Sequence, residues 1–356
     1  MIDSISCLCG RVEQEVLLQQ EADPSVLRLC HCDECRSVTG LLFSSYLILQ
    51  SSPETFEGLV KYEQSSDINR WFCAVCGAHV FAQLKSRGLY LTASGLLLKK
   101  ALETKLVQHW GIDDTRDGGL SPSLPGVEAT DKVCWAKSGQ IHPQAVPQRQ
   151  PRPLNHEIRK NHSGTDNKLL ACCHCRGVQF YVTPPDASSF DASSPWPDLL
   201  VPYHSTSSDN PGDVKWWLRC QATKYLAGTC ACNSCRLASG FPIQTWAFIP
   251  KSNIFTSKGS PLTFDMKTMQ RYGSSPGIYR EFCNRCGATL FWHCEERPAV
   301  IDVSAGLFKA TSGARANDWL EWATGRVSFA EEAPDMTLIQ TLETGLRAWA
   351  GQFTSC

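Results

Sequence analysis

Residues 62–81 read YEQSSDINRWFCAVCGAHVF, and residues 272–291 read YGSSPGIYREFCNRCGATLF. At a constant offset of 210, Tyr62, Ser65, Ile68, Arg70, Phe72, Cys73, Cys76, Gly77, Ala78 and Phe81 recur as Tyr272, Ser275, Ile278, Arg280, Phe282, Cys283, Cys286, Gly287, Ala288 and Phe291. Ten identities in twenty ungapped positions mark a duplication, and finding a repeat decides the architecture before any element is assigned. Upstream, CHCDECRSVTG at 30–40 matches CACNSCRLASG at 230–240. Further upstream, Cys7-Leu8-Cys9 followed by Val12 matches Cys173-His174-Cys175 followed by Val178. Downstream, YLTASGL ending at Leu96 matches IDVSAGL ending at Leu307. The chain is one module written twice.

The offset grows from 166 to 200 to 210, which places extra chain in the second copy, mostly between Cys175 and Cys230. That stretch is rich in Pro and Ser (TPPDASSFDASSPWPD) and then turns aromatic at Trp216 and Trp217, as a long loop plus an added strand would. Residues 139–168 carry four prolines and little apolar content, and are basic from Arg149 to Lys168. The expected organisation is a first domain at 1–138, an exposed linker at 139–168 and a second domain at 169–356 with an insertion at 176–229. Short apolar or alternating runs such as Val12–Leu18, Leu42–Leu49, Thr245–Ile249 and Val300–Val303 predict strands between Gly, Ser and Pro turns. Only Leu338, Ile339, Leu342 and Leu346 fall at helical spacing. The fold class expected is all-β: two tandem metal-stapled modules, mainly antiparallel, with a short C-terminal helix.

Nineteen cysteines in 356 residues exceed ordinary usage without reaching the share that marks small disulfide scaffolds. The odd count and the absence of a basic start followed by an apolar run predict free thiols in a reducing compartment. Each copy holds a CxC, a CxCxxC and a CxxCG, and a two-residue spacing lets a tight turn aim both sulfurs at one ion. Seven thiols divide as four plus three. Cys7, Cys9, Cys73 and Cys76 close one site, as do Cys173, Cys175, Cys283 and Cys286. Four thiolates make a closed structural zinc site, whereas three leave a position for water or substrate. The three-cysteine groups are Cys30, Cys32 and Cys35, and Cys230, Cys232 and Cys235. An open metal site, a redox disulfide and a structural role stay open for them, although the βαβ context of a thioredoxin motif is missing. Cys134, Cys172, Cys220, Cys294 and Cys356 have no counterpart and read as ordinary free thiols; alignment on Val12 and Val178 favours Cys173 over Cys172 as ligand. Arg36 and Arg236 follow the three-cysteine groups, where they could offset thiolate charge or hold a substrate carboxylate. Arg70 and Arg280 could brace the knuckle or bind substrate. His31 is replaced by Ala231, so it is not expected as a ligand, and His109 aligns with Glu321.

Lys plus Arg number 34 and Asp plus Glu 35. That balance argues against a general nucleic-acid binder or an anionic-membrane binder. The most apolar run, Leu41–Leu49, is far too short to span a bilayer. A soluble cytoplasmic chain is the expectation, with the nucleus left open and no sign of an oligomeric state.

The combination C-x-C-G-x-V, C-H-C-x-x-C-R-x-x-x-G and F-C-x-x-C-G-A, followed by a strand ending in Gly-Leu, resembles the glutathione-dependent formaldehyde-activating enzyme family, which includes centromere protein V. The resemblance covers both copies outside the linker and the insertion. It implies a β-tent fold, a four-cysteine structural zinc and a three-cysteine zinc at the active site, hence two Zn2+ per domain and four per chain. It also implies a carbon–sulfur lyase that joins formaldehyde to glutathione as S-hydroxymethylglutathione, with Cys30, Cys32, Cys35, Cys230, Cys232 and Cys235 catalytic and a glutathione adduct or other small thiol as partner. The second copy departs from the pattern at Ala231, Arg176 (Gly10 in the first copy) and Glu321. Two other readings are a non-catalytic zinc module that binds protein or chromatin, and a thiol carrier or redox sensor using Cys32 and Cys35.

Overall fold

The computed structural model describes residues 2–19, 25–98, 103–128, 168–202 and 209–350. Most of the expected linker and the thiols Cys134 and Cys356 lie outside the described residues. The first copy runs β1 (Ile2–Ser6), β2 (Glu13–Leu17), β3 (Val26–Cys30), α1 (Asp33–Thr39), β4 (Tyr46–Ile48), β5 (Leu59–Glu63), β6 (Ile68–Cys73), β7 (His79–Leu84), β8 (Leu89–Ala93), β9 (Leu106–Trp110) and β10 (Val127–Glu128). The second runs β11 (Leu169–Cys172), β12 (Gln179–Val182), β13 (Leu218–Arg219), β14 (Lys224–Cys230), α2 (Asn233–Ser239), β15 (Gln244–Pro250), β16 (Ile254–Thr256), β17 (Met269–Ser275), β18 (Ile278–Cys283), β19 (Thr289–Cys294), β20 (Arg297–Ser304), β21 (Leu320–Trp322) and α3 (Met336–Ala350).

The duplication recurs in the main sheet. The first copy's main sheet has the order β4-β8-β7-β6-β5, repeated as β15-β20-β19-β18-β17. Pairing is antiparallel except at β3·β9, β9·β10 and β14·β21. Both copies carry an irregularity in the same place, at Trp71/Phe72 and at Glu281/Phe282, where the strand bends into its CxxCG turn. The expected C-terminal helix is α3, and its Leu338, Ile339, Leu342 and Leu346 are all buried.

Two short helices were not legible as helices. In α1 the Cys32 side chain caps the N-terminus by accepting from the Cys35 N–H, with Asp33 and Glu34 in the first turn; Cys232 does the same for α2. Both helices stop at a left-handed glycine, Gly40 (φ 83°) and Gly240 (φ 90°), so these glycines are helix terminators rather than isolated turns.

One apolar core runs through both copies, mixing Leu41 and Phe43 with Phe241, Ile243 and Leu307. The contact between the copies is internally two-fold. Leu8 N–H donates to the Leu237 carbonyl at 3.2 Å, and the equivalent His174 N–H to that of Ser37 at 3.0 Å. Gly95 N–H reaches the Gly240 carbonyl at 2.9 Å, and Gly306 N–H that of Gly40 at 2.8 Å. A Cβ on Gly40 would stand 2.1 Å from the Thr289 carbonyl oxygen, and one on Gly240 2.2 Å from that of His79. Leu8 lies between Cys7 and Cys9, and Leu237 follows Cys235 by two. Each four-cysteine turn therefore rests on the three-cysteine helix of the opposite copy.

Candidate metal centres

Four groups of sulfurs form, each with all its Sγ atoms within 4.8 Å of one another: Cys7, Cys9, Cys73 and Cys76; Cys173, Cys175, Cys283 and Cys286; Cys30, Cys32 and Cys35; Cys230, Cys232 and Cys235. The sequence-derived partition and the spatial one coincide. Within them, Cys7–Cys9, Cys9–Cys73, Cys30–Cys32 and Cys175–Cys283 are 3.5 Å apart, and Cys173–Cys175 3.6 Å. A tetrahedral ion with metal–sulfur bonds of about 2.3 Å requires edges of about 3.8 Å. The donor sets thus have the chemistry and the close spacing to hold a divalent thiophilic cation such as zinc.

Local backbone geometry builds each four-sulfur group. In the first turn Cys7 N–H bonds the Val12 carbonyl, and Val12 N–H returns to Cys7 Sγ at 3.4 Å. The second copy repeats this with Cys173 and Val178, also at 3.4 Å. That repetition identifies Cys173 rather than Cys172 as the group's member. Arg176, at Gly10's position, adopts the same left-handed conformation with φ 56°, at a cost of roughly 1–2 kcal/mol for a side-chain-bearing residue. In the other knuckle, Gly77 N–H and Gly287 N–H close onto the Cys73 and Cys283 carbonyls at 3.0 and 2.8 Å. The sulfurs perturb one another strongly. The Cys76 thiol's hydrogen bond lowers Cys9 to about 7, and contact with Cys7 pushes Cys73 up to about 12.

The three-sulfur groups sit where β3 and β14 lead into α1 and α2. Cys30 and Cys35 are buried and Cys32 is half-buried. Hydrogen bonds from Cys30 and Cys32 hold Cys35 well below the ordinary thiol range, and Arg70 adds to this against the opposing effect of burial. Arg70 is buried; it donates to Cys35 Sγ at 3.3 Å, to Tyr46 Oη at 2.7 Å and to Gln64. Arg280 donates to Cys235 Sγ at 3.6 Å. These two arginines touch the sulfurs. Arg36 instead bonds the His31 carbonyl at 3.0 Å and Asp33 at 3.1 Å. Arg236 reaches across to the carbonyls of Gly95 and, at 3.2 Å, Leu97. Cys172 and Cys294 are free and buried outside the groups, whereas Cys220 is disulfide-bonded, contrary to the expectation of a free thiol.

His31 and His109 form a buried pair specific to the first copy. His31 Nε2 lies 2.9 Å from His109 Nδ1, and His109 Nε2 is 2.9 Å from the Leu124 carbonyl. This relay assigns the proton on Nε2 of each ring. The pairing of His109 with Glu321 requires correction. Cys30 pairs with Trp110, but Cys230 pairs with Ser328, and Ala231 N–H reaches the Ser328 carbonyl as His31 N–H reaches that of Trp110. Extra residues after β21 shift the correspondence, which a matching Glu-Trp concealed. Burial lowers His109 to about 4, so between its unfolded value near 6.5 and pH 4 only the unfolded chain gains the proton, and stability falls as the pH falls. Between pH 7 and pH 5 this linkage removes about 2 kcal/mol. Urea unfolding across that range should show a steeper loss for wild type than for His109→Asn; parallel slopes would refute the assignment.

The second three-sulfur group has surroundings that the spacing did not reveal. Of the extra chain between β12 and β14, Leu199, Trp216 and Trp217 pack with Phe248, Val300, Cys230 and Cys235. Arg297 is fully buried among the rings of Trp216, Phe248 and Trp292, 3.6 Å from Asp198 and paired with Asp302. Burial pushes Asp302 up to about 8 against the pull of Arg297. Sheet register places Leu91 and Ala82 of the first copy where Asp302 and Trp292 stand in the second.

A family model described as glutathione-dependent formaldehyde-activating enzyme matches residues 3–110 and again 212–322, more than half of the chain. The chain belongs to this family. The glutathione-dependent formaldehyde-activating match to the second copy begins after Cys173 and Cys175, yet the fold brings both onto Cys283 and Cys286. No curated protein and no solved structure matches the chain. Among the described residues, no helix is long and apolar enough to cross a membrane.

Proposed function

We propose that the chain is a zinc-dependent carbon–sulfur lyase acting on glutathione adducts such as S-hydroxymethylglutathione, with two zinc ions in each copy. Family membership supports the reaction class. The observation that carries the reading is the three-sulfur group itself, with Cys30 and Cys35 buried, Cys32 half-buried and a buried arginine on the third sulfur. Cys30, Cys32 and Cys35, and likewise Cys230, Cys232 and Cys235, would hold a zinc with one position left for substrate. Bound zinc supplies Lewis acidity that lowers the pKa of a thiol. Arg70 and Arg280 each donate to the third sulfur of a group, Cys35 or Cys235, and add to the pull of the other two thiols toward its thiolate form, while Arg36 and Arg236 contribute positive charge close to the same helices. In the synthetic direction a carbon–sulfur bond forms between glutathione and formaldehyde, and the thiol proton ends on the carbonyl oxygen. The reverse step breaks that bond.

The test follows adduct formation from glutathione and formaldehyde by NMR exchange, in wild type and in Cys32→Ser with Cys232→Ser. Wild type should exceed the uncatalysed rate at least tenfold and the double variant should fall to it. Equal rates, all at the uncatalysed level, would remove the enzyme reading and leave a zinc module without this activity.

A further inference from the structure

The two three-sulfur sites are related by the internal two-fold, but their mouths have different chemistry. At the first, His174 from the second copy lies with Nδ1 2.6 Å from Tyr62 Oη and Nε2 3.9 Å from Glu34. Glu34 also accepts from Gln64 at 3.2 Å, and Gln64 accepts from Arg70, whose other end holds Cys35. A continuous polar path thus runs from the sulfurs to Tyr62. Tyr62 in turn lines an open cavity of about 550 Å³ between the copies, walled by Lys61 and Glu63 from β5 and by Asn284 and Arg285 from the Cys283–Cys286 knuckle. The counterparts at the second site follow from the repeat offsets. His174 becomes Leu8, Glu34 becomes Ser234, Glu63 becomes Gly273, Asn284 becomes Ala74 and Arg285 becomes Val75. There Gln270 donates across the junction to the Ala74 carbonyl at 3.1 Å. Lys61 alone keeps a charged counterpart, Arg271, which is paired with Glu281 at 2.7 Å; the charges of Glu34, Glu63 and Arg285 have none.

From this we infer that the first site is a composite, in which both copies bind the body of a small zwitterionic peptide thiol whose sulfur reaches Cys30, Cys32 and Cys35. The cavity volume suits such a ligand. Lys61 and Arg285 offer cations to its carboxylates, Glu63, whose Oε1 also pairs with Lys85 at 2.9 Å, offers an anion to its ammonium group, and Asn284 offers hydrogen bonds to its amides. The second site lacks this frame and is surrounded by the apolar cluster around Trp216. The inference rests on the proposed function for its choice of thiol, not for its geometry.

Calorimetric titration of the metal-loaded full chain with glutathione tests it, because binding is read without turnover. Arg285→Ala and Lys61→Ala should each weaken binding about tenfold, whereas Val75→Ala, at the equivalent point of the other junction, should leave it unchanged. All three variants alter exposed positions, and their thermal unfolding reports whether the fold is intact. If glutathione binds wild type and both cation variants alike, or if wild type does not bind it, the composite site is wrong. If binding depends on Arg285 and Lys61 but no adduct chemistry is seen, the composite site stands and the lyase reading fails.

Discussion

Cys283→Ser should cost the protein one metal equivalent and much of its stability. Cys283 is fully buried, sits 3.5 Å from Cys175 and contacts the Thr268 hydroxyl at 3.1 Å. A closed four-sulfur site contributes its binding free energy to folding, on the order of 10 kcal/mol or more for small zinc domains. Removing one ligand forfeits several kcal/mol of this and lowers the midpoint of thermal unfolding by roughly 10 °C. Elemental analysis should fall from four zinc per chain to three. Cys32→Ser should also drop to three zinc, but with little loss of stability, since Cys32 is half-buried in a group open on one side. Cys172→Ser is the control: buried next to Cys173 but outside the group, it should retain all four ions. Metal loss in Cys172→Ser with retention in Cys173→Ser would overturn the assignment of the first knuckle. Equal stability losses in Cys32→Ser and Cys283→Ser would overturn the division into closed and open sites.

Gly240→Ala should part the two copies. The position combines a left-handed backbone with a Cβ 2.2 Å from the His79 carbonyl oxygen, which belongs to a paired strand and has no room to yield. Gly88 supplies the reference. It has φ 61°, but nothing lies within 4 Å of its added Cβ. Gly88→Ala therefore carries only the conformational cost, about 1 kcal/mol. Gly240→Ala adds the collision and should reach about 4 kcal/mol, among the largest single-site effects. Gly40→Ala, facing Thr289 at 2.1 Å, should behave the same way. Urea unfolding at constant pH reads all three. Equal costs at Gly88 and Gly240 would mean that the junction is looser than the two-fold contacts indicate.

Much of the site was readable before the fold, because the relevant information is short-range. A CxxCG turn aims its sulfurs by backbone bonds within five residues, so spacing alone separated the groups. The repeat then excluded Cys172, and the Cys173–Val178 bonds agree. What the sequence concealed depends on how distant segments meet. The short helices α1 and α2 lack hydrophobic periodicity; their signals were a cysteine cap, Asp33-Glu34 in the first turn of α1, and terminating glycines. Arg70 on Cys35 and Arg280 on Cys235 arise because β6 and β18 pass behind the three-sulfur helices, which no local pattern encodes. The Glu321 alignment failed because a conserved-looking dipeptide hid extra residues that only strand register exposes. The buried Arg297 cluster was missed because its partners Asp198 and Trp216 lie in chain that has no counterpart in the first copy.

The cross-docking of each knuckle onto the opposite helix has a further consequence. An isologous contact of this kind usually joins separate subunits, and its population then depends on their abundance. Here a single polypeptide satisfies the contact with itself, so effective molarity set by the tether governs closure. Dilution should leave the junction intact, and the two halves are held at a fixed one-to-one ratio while their chemistries diverge.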